Sequence, residues 1–227
     1  MKISILGTRG KIKPTAERHS LHTGILLDDT ILVDIGQREY LDHQPEAIVF
    51  THFHPDHAYF VESGETFTPG IPIFGPEQHE LVPKLRLVRG SFRIGDYDFR
   101  PIPVIHALRL KSLGYLITKG DKRILITGDV AWIEKEYLAD LPQVDLVITE
   151  ASYINRGGRI NRKKDRIFGH TGAPDLVRLL GPLTSKLVFL HYGSWFYNNI
   201  PESKERLSAL SDEITIIPAH DGMEIEL

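Results

Sequence analysis

Residues 51–57 read THFHPDH, which crowds His52, His54 and His57 together with Asp56 into one short stretch. Imidazoles and carboxylates are the ligands that hold divalent cations, and packed imidazoles repel one another once protonated. The cluster therefore points to metal binding. His52 and His54 are two apart, so in extended chain both rings face the same way and can meet one ion. Pro55 forces a bend, and Asp56 and His57 project from the next turn, within reach of a second ion. The pattern H-x-H-x-D-H thus offers two ligands to each of two metals. Ions roughly 3.5–4 Å apart can activate water and clamp both oxygens of a displacement. One loop cannot complete such a site. His106 after RPIPVI, Asp129 after ILITG and His191 after KLVFL each follow an apolar run and can converge with the cluster. Taken alone, each would read as a surface histidine or a turn aspartate.

Those positions need strands to carry them. KISIL (2–6), TGILL (23–27) and TILVD (30–34) read as consecutive strands, with Asp28-Asp29 as a hairpin turn. AIVFT (47–51) is a buried strand leading into the cluster. IPIF (71–74) follows, then a helix over EQHELVPKL interrupted by Pro83, then strands over 92–105 broken by Gly95, Pro101 and Pro103. LGYLI and RILIT form a hairpin about Lys119-Gly120-Asp121. A helix over 132–141 precedes strand DLVIT, and Pro174 opens a helix with Leu176, Leu179, Leu180 and Leu183 on one stripe. KLVFL, a helix over 202–210, EITII and MEIEL complete the chain. Two sheets face to face with helices outside is the simplest layering, an α/β (α+β) sandwich in one domain over 1–227.

Apolar residues make up 41 %, enough for a sizeable core, and the net charge of −3 argues against a protein that coats nucleic acid. With no cysteine, disulfides and thiolate metal ligands are excluded. The apolar run at Ile3–Leu6 is too short for a signal-peptide core, and no stretch reaches membrane-helix length. A cytoplasmic protein without membrane contact is the expectation.

The ordered set LGTRG, ILVDIG, THFHPDH, His106 followed by GYL, TGD, FLHYG and AHDGMEIEL resembles the metallo-β-lactamase superfamily almost end to end. That resemblance implies a four-layer αβ/βα sandwich with two metals at one edge. It assigns His52, His54 and His106 to one ion and Asp56, His57 and His191 to the other, with Asp129 bridging. Asp34 would orient a ligand histidine from behind, and His170 would act in the site without binding metal. His220, also after a strand, competes with His191, which is preferred. Within the superfamily, GIPIFGPEQHE, GHTGAPDLVRLL and DGMEIEL are similar to the cyclic phosphodiesterase of carbon–phosphorus lyase pathways, and the GH-then-helix stretch to the tRNA 3′-processing endonuclease, ribonuclease Z. The chain lacks the cysteines of the first branch's structural zinc site and any segment as long as the second's tRNA-gripping arm.

The resemblance implies hydrolysis by water shared between two divalent ions, Zn2+ first and Mn2+ as the alternative. Asp56 would aim that water and His170 would serve the leaving group. A phosphodiester, either small, cyclic or RNA, is the expected substrate. A carboxyl ester, lactone, thioester or β-lactam is the alternative within the fold, and metal binding without turnover the alternative outside it. The run 155–170 carries Arg156, Arg159, Arg162, Lys163, Lys164 and Arg166 against Asp165 alone. Arg162, Lys163 and Lys164 are the candidate phosphate contacts, against the plain reading of a solvated loop. Trp195, Phe196 and Tyr197 could stack on a base, pack in the core or, if exposed, make a homodimer contact.

Overall fold

The computed structural model describes residues 1–227. Two seven-stranded sheets pack face to face. The first contains β1 (Lys2–Gly7), β2 (Gly24–Leu27), β3 (Ile31–Val33), β4 (Ala47–Val49), β5 (Ile73–Gly75) and β6 (Leu85–Leu87), and is edged by β16 (Met223–Glu226), in the order β16-β1-β2-β3-β4-β5-β6. The second contains β7 (Phe92–Ile94), β8 (Tyr97–Val104), β9 (Ser112–Lys119), β10 (Lys122–Ile126), β11 (Leu146–Ala151), β14 (Lys186–Tyr192) and β15 (Thr215–Pro218), in the order β15-β14-β11-β10-β9-β8-β7. A separate ribbon pairs β12 (Arg159–Lys163) with β13 (Arg166–His170). The helices are α1 (Phe60–Ser63), α2 (Lys135–Ala139), α3 (Ala173–Leu180) and α4 (Ile200–Ser208).

The central strands are continuously apolar because both of their faces are covered. Ile25 and Leu27 enter the core between the sheets, whereas Leu26 turns outward beneath the layer of α1 and the 3-10 turn at Arg38–His43. In the second sheet Val188 and Leu190 face inward, and Leu187 and Phe189 pack beneath α3 and α4. Three apolar interfaces therefore separate four layers, as the expected αβ/βα sandwich requires. A one-residue slip of any central strand would exchange one core for another, so register is tightly specified.

Turn chemistry agrees with the sequence at both hairpins. Asp28 and Asp29 have φ of 44° and 58°, the left-handed pair that a tight β2–β3 turn needs. Gly120 supplies φ of 60° between β9 and β10. Three expectations fail locally. No helix forms over EQHELVPKL: Pro83 can give no helical N–H bond, and the stretch folds as successive turns into β6. The helix expected over 132–141 shrinks to α2, because Trp132 exchanges backbone hydrogen bonds with Ile105 instead. β8 runs unbroken through Pro101 and Pro103, since its partner β7 reaches only Phe99 and the missing N–H groups fall on the open edge. No helix is long and apolar enough to cross a membrane.

The strand directions fix where chemistry can gather. β3 and β4 are parallel, as are β10, β11 and β14, so their carboxyl ends open on one edge of the sandwich. Ligands bind outside the carboxyl ends of strands in such arrangements.

Candidate metal centre

Each expected ligand, and Asp34 behind them, leaves a strand at that edge. Asp34 follows β3, the cluster follows β4, His106 follows β8, Asp129 follows β10 and His191 lies within the end of β14. The turns are strained to bring them there. Asp34 and His191 both have positive φ, 60° and 54°, which an L residue adopts only when its surroundings compel it. Gly128 has φ of 63°, and a Cβ there would sit 2.9 Å from the Thr51 side chain. Glycine lets the Asp129 turn press against the cluster.

Three overlapping groups of ligand atoms result: two follow the expected sets, and the third joins Asp129 and His191 to Glu150 and His170. His52 Nε2 and His106 Nε2 each lie 3.0 Å from His54 Nδ1, and Asp129 Oδ2 lies 3.6 Å and 3.4 Å from the two Nε2 atoms. His191 Nε2 lies 2.8 Å from Asp56 Oδ2, and Asp129 Oδ1 is 3.2 Å from His57 Nε2 and 3.4 Å from His191 Nε2. Asp129 turns one oxygen toward each of the two expected sets. The structure thus brings together His52, His54, Asp56, His57, His106, Asp129 and His191. His220 joins none of the groups; its ring rests against Arg18.

A second set of bonds sets the direction of each ring. His57 Nδ1–H donates to Asp34 Oδ2 at 2.7 Å, and Asp34 also accepts from Thr51 N at 2.8 Å and Thr51 Oγ1 at 2.7 Å. With that hydroxyl proton committed, Thr51 Oγ1 accepts from His52 Nδ1–H at 3.1 Å. His106 Nδ1–H donates to Gly169 O at 2.9 Å and His191 Nδ1–H to Ser152 Oγ at 2.9 Å. Each outer nitrogen is committed to its own partner, so each Nε2 is the atom left to face a cation, which at His191 would replace the proton that Nε2 donates to Asp56.

The electrostatics of the pocket fit cations. Asp34, Asp56, Asp129 and Glu150 are all buried, and none is paired with lysine or arginine. Buried carboxylates need compensating positive charge. Burial lowers the pKa of His52 and His106 and takes His54 down to about 4, which keeps those three rings neutral. Burial opposes charge on His57 and His191 too, but Asp129 with Asp34 or Asp56 outweighs it and raises both. Burial also opposes the charges on Asp56 and Asp129, which the surrounding histidines nevertheless hold well below the carboxylate range. His57 Nε2 and Asp129 Oδ1 are buried with no hydrogen-bond partner, and both point into the second ligand group. A divalent cation held among these ligands would satisfy the orphaned atoms and offset the carboxylates.

His170 lies beside the ligands. Its Nδ1–H donates to Glu150 at 2.8 Å and 2.9 Å, and that carboxylate also accepts from Val130 N at 2.6 Å. Burial opposes charge on this ring, but Glu150, then Asp129 and Asp56, push its pKa up to about 9. The sequence expectation ends this strand at Thr149 and so passes over Glu150. A charged residue directly continuing the apolar run DLVIT was the signal. A cleft of about 470 Å3 opens over His54, Asp56, Asp129, His170 and His191, with Trp195 on its wall.

The remaining candidates lie elsewhere. Arg162, Lys163 and Lys164 occupy the far end of the β12–β13 ribbon and do not line the cleft. Within the run 155–170, residues 155–158 form a turn and 159–170 pair as the two-stranded ribbon. Phe196 is fully buried and stacks on Tyr192 at 3.8 Å, and the Tyr197 hydroxyl donates to His19 O at 2.8 Å. Phe196 and Tyr197 are thus tied into packing, whereas Trp195 is half-buried on the cleft wall.

A family model described as the beta-lactamase superfamily domain matches residues 34–192. The metallo-beta-lactamase fold protein YhfI of Bacillus subtilis superposes with a TM-score of 0.72 at 16 % identity, covering 99 % of this chain and 98 % of its own. A diphosphatase of the PhnP family gives 0.72 at 18 % identity over 100 % of this chain and 97 % of its own. The short form of human tRNase Z gives 0.68 at 17 %, covering 100 % and 99 %. No curated protein matches the chain in sequence. At these identities the structural likeness shows the fold.

Proposed function

The chain belongs to the beta-lactamase superfamily, and from that premise we propose that it is a metal-dependent hydrolase of phosphodiesters. His52, His54, His106 and Asp129 would hold one cation, and Asp56, His57, His191 and Asp129 the other. Bound there, two divalent ions, Zn2+ or Mn2+, would supply Lewis-acid activation of water and of a phosphoryl oxygen.

The chain's own groups perform the rest. Asp56, on the cleft floor, accepts a hydrogen bond from the attacking water and aims it. Water adds to phosphorus and releases one proton to solvent, the bond from phosphorus to the leaving oxygen breaks, and that oxygen needs a proton. The observation that carries the reading is the His170–Glu150 pair. Glu150 holds Nδ1 at 2.8 Å, so Nε2 is the free donor on the cleft side, and a ring with pKa near 9 is protonated at neutral pH. Nε2–H donates to the leaving oxygen, and the ring's charge stabilises the departing anion. The relatives described as a PhnP-family diphosphatase and a tRNase Z support phosphate chemistry on this fold.

The test is a hydrolysis screen of metal-loaded protein. Bis-p-nitrophenyl phosphate and a cyclic nucleotide should be turned over in preference to a lactone, a thioester and a β-lactam. Rapid turnover of the carboxyl compounds with none of the diesters would replace phosphoryl with acyl transfer as the reaction.

A further inference from the structure

The β12–β13 ribbon is joined directly to the metal centre. Gly169 N donates to His106 O at 2.7 Å and Gly169 O accepts from His106 Nδ1–H at 2.9 Å, so a ligand histidine is bonded to the ribbon on both sides of one glycine. His170 ends the same strand. The ribbon then runs away from the site. Arg162 pairs with Ile167 and Lys163 with Arg166, three and four residues from His170. At ~3.3 Å per residue this places the tip about 10–13 Å from the leaving-group histidine. A single small diester at the metals does not span that distance.

Charge is segregated onto this ribbon. Residues 155–170 hold six basic residues against one acidic, leaving 21 basic against 29 acidic in the rest of the chain. Arg156, Arg159, Arg162, Lys163, Lys164 and Arg166 are all exposed, and none makes an ion pair, although seven other lysines and arginines do.

A groove follows the ribbon out of the site. The metal cleft meets a hollow of about 400 Å3 at His54, and that hollow meets another of about 690 Å3 at Ala107 and Leu110. β13 forms one wall and the 107–111 loop the other. Arg109, Lys111 and Arg166 line it with Phe168 and Trp132, both half-exposed; Glu134 and Asp165 are its acidic members. Cations interleaved with aromatic rings along a track are what a single strand of nucleic acid binds, phosphates to the cations and bases to the rings.

Resting on the phosphodiesterase reading above, we propose that the substrate is a single-stranded polynucleotide, with the scissile phosphate at the metals and the flanking chain lying along the β12–β13 ribbon. Ten to thirteen ångströms accommodates about three or four phosphates at the ~3.4 Å rise of a stacked strand. A lipid surface is the weaker partner, because a bilayer cannot follow a groove into the metal cleft and the ribbon exposes only Ile160 as a large apolar group.

The experiment measures binding of fluorescein-labelled 20-nucleotide phosphorothioate RNA and DNA to metal-loaded full-length protein across a salt series. The R162Q/K163Q/K164Q and R109Q/R166Q variants and anionic phosphatidylserine vesicles run alongside. The wild type should bind the strands with a steep salt dependence. The triple variant should lose about tenfold or more in affinity at low salt and about 2 in the log–log salt slope, at ~0.7 per phosphate contact, with Tm unchanged. The double variant should weaken binding in the same direction. Absence of strand binding by the wild type, an unchanged slope in the triple variant, or preference for vesicles overturns the proposal. Hydrolysis of bis-p-nitrophenyl phosphate by the same wild-type preparation reports the underlying function separately, since binding a phosphorothioate needs no turnover.

Discussion

Asp34→Asn removes a charge that touches no substrate and no metal, yet it should weaken the second metal site. The Asp34 carboxylate accepts from Thr51 N, Thr51 Oγ1 and His57 Nδ1–H, all within 2.8 Å, and is almost fully buried. Asparagine has the same shape and tolerates the φ of 60° found here, so the backbone is not the issue. Its amide keeps one acceptor oxygen, which the Thr51 N–H holds. The other position becomes an NH2 group that faces two donors, Thr51 Oγ1 and His57 Nδ1. The His57 bond is the charge-assisted one, worth about 1.5–3 kcal/mol. Once it is lost, His57 is free to rotate or to take the other tautomer, which would put a proton where a lone pair should meet the ion. At about 1.4 kcal/mol per tenfold, affinity at the Asp56–His57–His191 site should fall roughly 10–100-fold, with the His52–His54–His106 site changed far less. Chelator-competition titration of zinc resolves the two affinities, and thermal unfolding of the metal-free protein gives the purely structural loss. The reasoning is refuted if both sites keep wild-type affinity while the metal-free protein loses the full 1.5–3 kcal/mol of stability.

Gly128→Ala should also weaken metal binding without altering any ligand, because it strains a φ of 63° and drives a methyl against Thr51; a metal content equal to wild type by mass spectrometry would contradict this. Glu150→Gln removes the charge that leads the opposition to burial at His170, so the alkaline limb of the pH–rate profile for a diester should move down from about 9 toward neutrality; an unmoved limb would dissociate His170 from catalysis. At the β2–β3 turn, burial opposes charge on Asp28, but bonds from Tyr97, the Lys2 backbone and Lys119 take its pKa down to about 2. A depressed carboxyl stabilises the fold above its unfolded pKa of about 3.9 and loses that contribution as pH falls toward 2, so Asp28→Asn should lower Tm at pH 7 and converge on wild type near pH 2. A Tm difference constant over that window would show the effect to be steric.

The ligand set was legible because its chemistry is local: crowded imidazoles, and isolated His or Asp directly after apolar runs. Asp34 carried the same signal within ILVDIG. Glu150 was missed because the end of a buried strand is blurred when the polar residue that closes it also begins a turn. The ribbon was hidden for a related reason. In RINRK and RIFGH no alternation of apolar and polar residues marks the strands, since neither face of β12 is buried and pairing comes from the backbone alone. The helices were misjudged where a tertiary bond took the backbone first, as at Trp132, or where proline removed a donor, as at Pro83. His220 and His191 look equivalent in sequence; only the strand order, which sets β14 beside β11, places His191 among the groups that could hold a metal.

Metal stoichiometry with anomalous diffraction at the zinc edge tests the central claim most directly. The account predicts two peaks, one among His52, His54 and His106 and the other among Asp56, His57 and His191, with Asp129 beside both, two equivalents by mass spectrometry and weaker binding at both positions in Asp129→Ala. A protein that folds and stays free of metal after incubation with zinc or manganese, or that holds its only ion away from Asp129, would contradict it.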